Sequence, residues 1–343
     1  MIATIVLLLA PLAAEPLPLP GDFDPAVNMR GEETDDGILH PARDAANHLA
    51  SLIRNGTPED IALARKVFVA LESTQELDPD RRHYGNFRWM AEDDDITDFN
   101  AVSFCLKVLI PAMLDHGADL PEDFQAQIHE MIRRGLVETL RRDVSIAYTN
   151  ICVFGLHNLI LGGRLIDAPE FAEAGKEKFL RWASWTMENG TASEYNSPTY
   201  TKIAVNGLGQ LAHYTRDDAV RITAETLAAR LAMGVALRIH PATGRWAGPH
   251  SRAYHPTVIA EDRPEVRFVE EWLASGLAPE WVRPALGPEK LPLSVVATPD
   301  RENEIGITTH LTEAFALGTA SRALHPQADG LYLQYHRPGQ EKP

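Results

Sequence analysis

A chain of 343 residues, 45% hydrophobic and 23% charged, has the composition of an ordinary globular protein with material for a large core, which excludes a disordered or fibrous chain. Its 48 acidic against 32 basic side chains, a formal charge of -16, argue against nucleic acid as a partner, because neutralising phosphates needs a basic surface and no Lys/Arg cluster supplies one. Two cysteines, Cys105 and Cys152, make no disulfide scaffold and no zinc spacing, and both fall in apolar helical pattern as small core residues.

Ile2 to Ala14 is a short apolar run ending in small residues, followed at once by the Pro-rich Glu15-Pro-Leu-Pro-Leu-Pro20. Residues 1–14 are therefore expected to be an export signal directing the chain to the periplasm or the exterior. The run is too short to cross a bilayer, which needs roughly 20 residues, so no stable membrane insertion is expected. Residues 15–40 are expected to be extended, residues 41–336 to form one catalytic domain, and residues 337–343 to be a tail.

From Pro41 onward apolar residues recur every three or four positions, punctuated by Pro, Gly and Asp, as in helices. Helices are expected over Ala42 to Arg54, Pro58 to Glu72, Asp98 to Asp115, Pro121 to Arg142, Thr149 to Gly162, Pro169 to Met187, Thr201 to Tyr214, Asp217 to His240 and Arg263 to Ser275. The Gly162-Gly163 pair reads as a helix stop. The chain turns Pro-rich from Leu291, and Ile305 to Ala320 and Gly330 to His336 suit short strands. The fold class is thus mostly α. With no βαβ rhythm and no fixed-period repeat, the architecture expected is an (α/α) toroid, an incomplete helical barrel, carrying a small irregular or short-strand C-terminal segment.

Two loops concentrate chemistry between these helices. One runs from Glu188 to Tyr200, Glu-Asn-Gly-Thr-Ala-Ser-Glu-Tyr-Asn-Ser-Pro-Thr-Tyr; the other from Gly244 to Tyr254, Gly-Arg-Trp-Ala-Gly-Pro-His-Ser-Arg-Ala-Tyr. Loops on a rigid helical frame are common seats of catalysis, although capping of helix ends would also explain their polar residues. Asn150, at an expected helix start, has the same two readings.

Taken together, Asn150, Tyr200, His250, Arg252 and Tyr254 supply an amide, phenols, an imidazole and a guanidinium. That set suits β-elimination at a uronic acid. Asn150, with Arg252 or a protonated His250, would hydrogen-bond the carboxylate and stabilise the enediolate-like transition state. Tyr200 or Tyr254 would take the proton, its pKa depressed by the neighbouring cation, and a phenol would protonate the leaving glycosidic oxygen.

The order Asn150, then Asn189-Gly190-Thr191 leading into Tyr195 and Tyr200, then Ser251-Arg252, resembles the (α/α)-toroid polysaccharide lyases that cleave hyaluronan, chondroitin, alginate or glucuronan. The resemblance covers roughly Tyr148 to Tyr254. It implies an Asn that neutralises the uronate, a His or Tyr pair that moves the proton, and an Arg from a later loop. It departs from the family at Glu194, which stands where a His would be expected.

Glu194 supports an alternative, a glycoside hydrolase with Glu194 as general acid and a partner among Asp93, Asp94, Asp95 and Asp98, although an acidic run is more often a solvated face. A third possibility is a non-catalytic carbohydrate-binding toroid. For any of these, Tyr84, Arg88, Trp89, Glu194, Asn196, Arg245 and Trp246 are candidate substrate contacts, the aromatics as stacking platforms and Arg82, Arg88, Arg245 and Arg252 as a local positive field within an acidic protein. The expected partner is an anionic polysaccharide or oligosaccharide, with no cofactor. No metal is expected, since His157, His213, His240, His255 and His310 lack the spacing of ligand motifs. Thr308 to Thr312 and Leu317 to Ser321 could return polar groups to the cleft, without an assigned role.

Overall fold

The computed structural model describes residues 15–35, 37–254, 264–323, 328, 330–336 and 339. The expected export signal, His255 and nearly all of the 337–343 tail lie outside these residues. The chain divides into two compact units, Met1–Gly135 and Leu136–Pro343.

The first unit opens with two antiparallel hairpins, β1 (Phe23–Asp24) with β2 (Met29–Arg30) and β3 (Glu32–Thr34) with β4 (Gly37–Leu39). The stretch expected to be extended is thus folded back on itself twice. Helices α1 (Ala42–Asn55), α2 (Pro58–Glu72) and α3 (Ala101–His116) follow, with α1 packed on both others. Helix α2 starts where its sequence says it should: Thr57 accepts from the Asp60 amide and Pro58 takes the first helical position. Leu49, Leu52, Ile53, Leu71, Leu106 and Leu109 are fully buried. Helix α3 with the turn after it, Ala101–Asp119, is long and apolar enough to cross a membrane, but most of its apolar window is buried inside the protein. Helix α4 (Glu122–Arg142) passes from the first unit into the second.

The second unit is built around α5 (Thr149–His157), which is buried on nearly every side and packs on α7 (Pro169–Asn189) and α8 (Thr201–Tyr214). Beyond His157 the helix does not stop at the glycine pair. It widens into a π-helical stretch, Asn158–Gly162, and runs into the short α6 (Gly163–Leu165). The glycine has a packing role instead: a Cβ on Gly163 would lie 2.7 Å from the Ala172 nitrogen of α7, so its absence lets two backbones touch. Helices α9 (Asp218–Ala236) and α10 (Val266–Ser275) complete the helical part, with α9 packed on α7, α8 and α10.

The chain ends in a four-stranded antiparallel sheet in the order β5 (Leu293–Asp300), β6 (Ile305–Leu311), β7 (Phe315–Ala320), β8 (Leu331–Tyr335). The molecule is therefore mostly helical with a C-terminal sheet. Strand β6 alternates between fully and partly buried positions, the period of two that its sequence shows. Ile305 and Ile307 of β6 pack with Tyr195 of the first loop, and Leu311 and Ala316 with Ala247 of the second. The Thr309 hydroxyl donates to the Gly248 carbonyl at 2.7 Å.

Gly318 on β7 is where sheet and loop come closest: a Cβ there would fall 2.1 Å from the Gly248 carbonyl carbon. Gly318→Ala is expected to destabilise the second unit by about 1–3 kcal/mol, because backbone meets backbone and neither can rotate away. Thermal melting checks this; an unchanged melting temperature would contradict the contact.

Candidate functional site

Helix α7 ends at Gly190, whose φ of 80° gives a left-handed cap that turns the chain inward. The loop that follows is buried almost throughout: Ala192, Ser193, Glu194, Tyr195, Asn196 and Ser197 are shielded from solvent. A buried loop must find partners for its polar groups, and these partners define the site.

Glu194 goes to the start of α5. That helix has no side-chain cap of its own, and the Glu194 carboxylate supplies one from a distant loop. It accepts from the Asn150 amide nitrogen at 2.7 Å and from Asn150 Nδ2 at 3.0 and 2.9 Å. The Glu194 amide in turn donates to the Thr149 hydroxyl at 3.2 Å. A carboxylate on the unpaired amides at a helix start is a favourable placement. Its third neighbour is Arg252, with Nη1 3.4 Å from Oε1. Burial still dominates and holds the Glu194 carboxyl above its ordinary pKa, against the hydrogen bonds from Asn150 and the charge of Arg252.

Above this buried pair lies a half-exposed cluster. Arg252 donates to the Tyr254 oxygen through Nε at 3.1 Å and Nη2 at 2.6 Å, and to the Tyr200 oxygen through Nη2 at 3.2 Å. The two phenol oxygens are 3.2 Å apart and their rings meet edge to face. The guanidinium lies over the rings of Tyr148, Tyr200 and Tyr254 at 5.5, 4.9 and 5.7 Å, within cation–π range. Arg252 holds this position at a φ of 49°, a backbone state that side chains other than glycine seldom adopt and that functional loops often retain. Tyr148 is absent from the sequence-based set of site residues; its place immediately before the α5 start is the signal that could have found it.

Several expected roles change. The Asn150 amide was expected to face a substrate carboxylate, but it is 1% exposed and bound to Glu194, itself 4% exposed and so no open substrate contact. Arg252 was expected to depress the pKa of a phenol; at Tyr200 burial and the hydrogen bond with Tyr254 prevail over Arg252 and push the pKa upward. His250 was expected to carry charge. It is fully buried, its Nδ1 donates to the Asn196 carbonyl at 2.8 Å, and its ring sits edge-on to Trp246 and Tyr332. Burial brings its pKa down to about 4, so near neutral pH it is an uncharged packing residue.

Asn196, Arg245 and Trp246 also turn inward. Asn196, at a φ of 46°, donates through Nδ2 to the Ala247 and Pro249 carbonyls and accepts from the Trp246 indole, pinning one loop to the other. Ser251 reinforces this, donating through its amide and hydroxyl to the Tyr195 carbonyl. Trp246, 1% exposed, has no face free for a sugar. Arg245 pairs with Glu265 at 3.1 Å in the interior.

Tyr84, Arg88 and Trp89 belong to the first unit. Arg88 donates to the Asp93 and Ser73 carbonyls, and Trp89 packs edge-on to Phe104 with Arg43 over its ring; Tyr84 is half-buried in the turn before them. The acidic run is occupied with its own turns, since Asp93, Asp95 and Asp98 accept from the amides of Met90, Ile96 and Asn100. Among the described residues no group of three His, Cys, Asp or Glu side chains is placed to hold a metal ion.

A family described as a domain of unknown function (DUF8769) matches residues 22–259. The chain belongs to this family. The matched span includes both loops and ends before α10 and the sheet. No curated protein matches the chain, and no solved structure matches it.

The His250 environment gives a pH prediction. Its folded pKa of about 4 lies below the ordinary 6.5, so the unfolded chain binds the proton more readily. Stability is full above about pH 6.5 and is lost as pH falls through 4, by roughly 3 kcal/mol in total. His250→Phe should lose roughly 3 kcal/mol less than the parent protein over that window, whatever its stability at neutral pH. Thermal melts of both proteins against pH check this; parallel curves would mean that His250 does not titrate there.

Proposed function

We propose that this protein is a polysaccharide lyase that cleaves a uronic-acid-containing glycan by β-elimination, on a helical frame of the (α/α) toroid kind, and that it acts after export. The observation that carries the reading is the cluster of Arg252 with Tyr200 and Tyr254: two phenol oxygens 3.2 Å apart, one of them receiving two guanidinium N–H groups, in a half-exposed position above a buried carboxylate.

The two phenols have different surroundings and take different parts. Tyr254 acts as the base, because the two Arg252 N–H donors face its oxygen and favour negative charge there. It takes the proton from the carbon beside the uronate carboxylate. As the double bond forms and the glycosidic C–O bond breaks, Tyr200, kept protonated by its raised pKa, gives its proton to the leaving oxygen. A proton then passes from Tyr254 to Tyr200 along their hydrogen bond and restores both groups.

Glu194 adjusts the charge of the site. When substrate binding brings in a carboxylate, a Glu194 with a raised pKa takes up a proton and releases the Arg252 charge to the newcomer. The elevated Glu194 pKa also favours the second reading, a hydrolase with Glu194 as acid, but its burial beneath Asn150 and Arg252 keeps it from a glycosidic oxygen.

The test is a panel of polyuronides followed by the ultraviolet absorbance of the unsaturated product. Activity in the parent protein, with a loss of about 100-fold or more in Tyr254→Phe and Tyr200→Phe at unchanged melting temperature, is the expected result. Reducing sugar released without that absorbance would replace the lyase by a hydrolase. Glycan binding without either product would leave a carbohydrate-binding protein.

A further inference from the structure

Arg238, two residues past the end of α9, is 5% exposed. Its Nη1 donates to the Gly234 carbonyl at 2.9 Å and its Nε to the Thr309 hydroxyl at 3.2 Å. Its Nη2 is buried without a partner. Among the described residues no carboxylate pairs with it, and the neighbouring charge that acts on it is the like charge of Arg230, which together with burial brings its pKa down to about 10. A guanidinium keeps its charge at that value, and a buried charge without a counter-charge is among the least favourable arrangements in a protein interior.

Arg238 forms part of the wall of a cavity of about 20 Å³, room for one water-sized or monatomic occupant. Thr149 and Thr201 share that wall. Each of their hydroxyls already accepts from a backbone amide, Glu194 and Ser197 respectively, which leaves the O–H proton to be donated. Leu231, Val235 and Ile307 supply apolar surface. Glu194 also reaches the cavity, but its oxygens are turned to Asn150 and Arg252. The cavity wall thus carries the cationic side chain of Arg238 and the hydroxyl-bearing side chains of Thr149 and Thr201 and has space for a single small species.

We propose that this cavity binds a monatomic anion, chloride, held by Arg238 Nη2 with the Thr149 and Thr201 hydroxyls. The anion compensates the Arg238 charge, and through Thr149 it supports the loop that carries Glu194. Tyr200 of the proposed lyase cluster also lines the cavity, but the anion is held by Arg238 and the two threonines, and either reading can fail without the other.

The full chain is melted over a chloride titration at constant ionic strength, with gluconate, too large for the cavity, as the balancing anion. The expected result is a saturable rise in melting temperature of roughly 2–4 °C, absent in Arg238→Met and shifted to higher chloride in Thr201→Val. Crystals of the parent protein soaked in bromide should show an anomalous peak in contact with Arg238 Nη2, which decides the matter even if Arg238→Met does not fold. Identical melting in chloride and gluconate, a chloride shift that persists in folded Arg238→Met, or bromide crystals without that peak would each overturn the assignment.

Discussion

The second unit depends on one buried carboxylate. Glu194 is removed from water at a cost that raises its pKa, and that cost is partly offset by three donors that converge on it: the backbone and side-chain amides of Asn150 and the guanidinium of Arg252. Charge-assisted hydrogen bonds of this kind contribute about 1.5–3 kcal/mol each, whereas the same carboxylate without them would be strongly destabilising. The consequence is geometric. The start of α5, the loop after α7 and the Arg252 loop have one relative placement that satisfies Glu194, and that placement sets where the tyrosines stand.

The C-terminal sheet serves the same end from behind. It covers Tyr195 with Ile305 and Ile307, holds Gly248 through Thr309, and so closes the back of two loops whose own backbone groups are spent on each other. With the loops fixed, Asn196 and Arg252 can remain at positive φ, states that cost of order 1–3 kcal/mol each in a free loop. Rigid support behind a cluster of half-exposed polar side chains is what preorganised chemistry requires.

The helices were legible because their apolar period is unambiguous: α1, α2, α4 and α7 run almost where the pattern places them. Strand β5 was not, because Leu291-Pro292 and Pro299 made its surroundings read as a Pro-rich coil. Gly162-Gly163 misled for a physical reason, since a glycine that permits close helix contact has the same letter as one that ends a helix. At the site, the two loops stood out by composition, and Asn150, Glu194, Tyr200, Arg252 and Tyr254 do meet. Their partners could not be read. Nothing in the order of residues says that Glu194 will take the Asn150 amide, that His250 and Trp246 will face inward while Arg252 faces out, or that Tyr148 will join the guanidinium. Arg238 was hidden inside an expected helix, where an arginine is ordinarily a solvated residue.

A double-mutant cycle on stability tests most directly whether Glu194 organises the unit, using Asn150→Ala, Glu194→Ala and the pair. Strong coupling is expected, with the double variant less destabilised than the sum of the singles by about 1 kcal/mol or more, because either single change already removes the side-chain bonds between the two residues. Additive losses would contradict it.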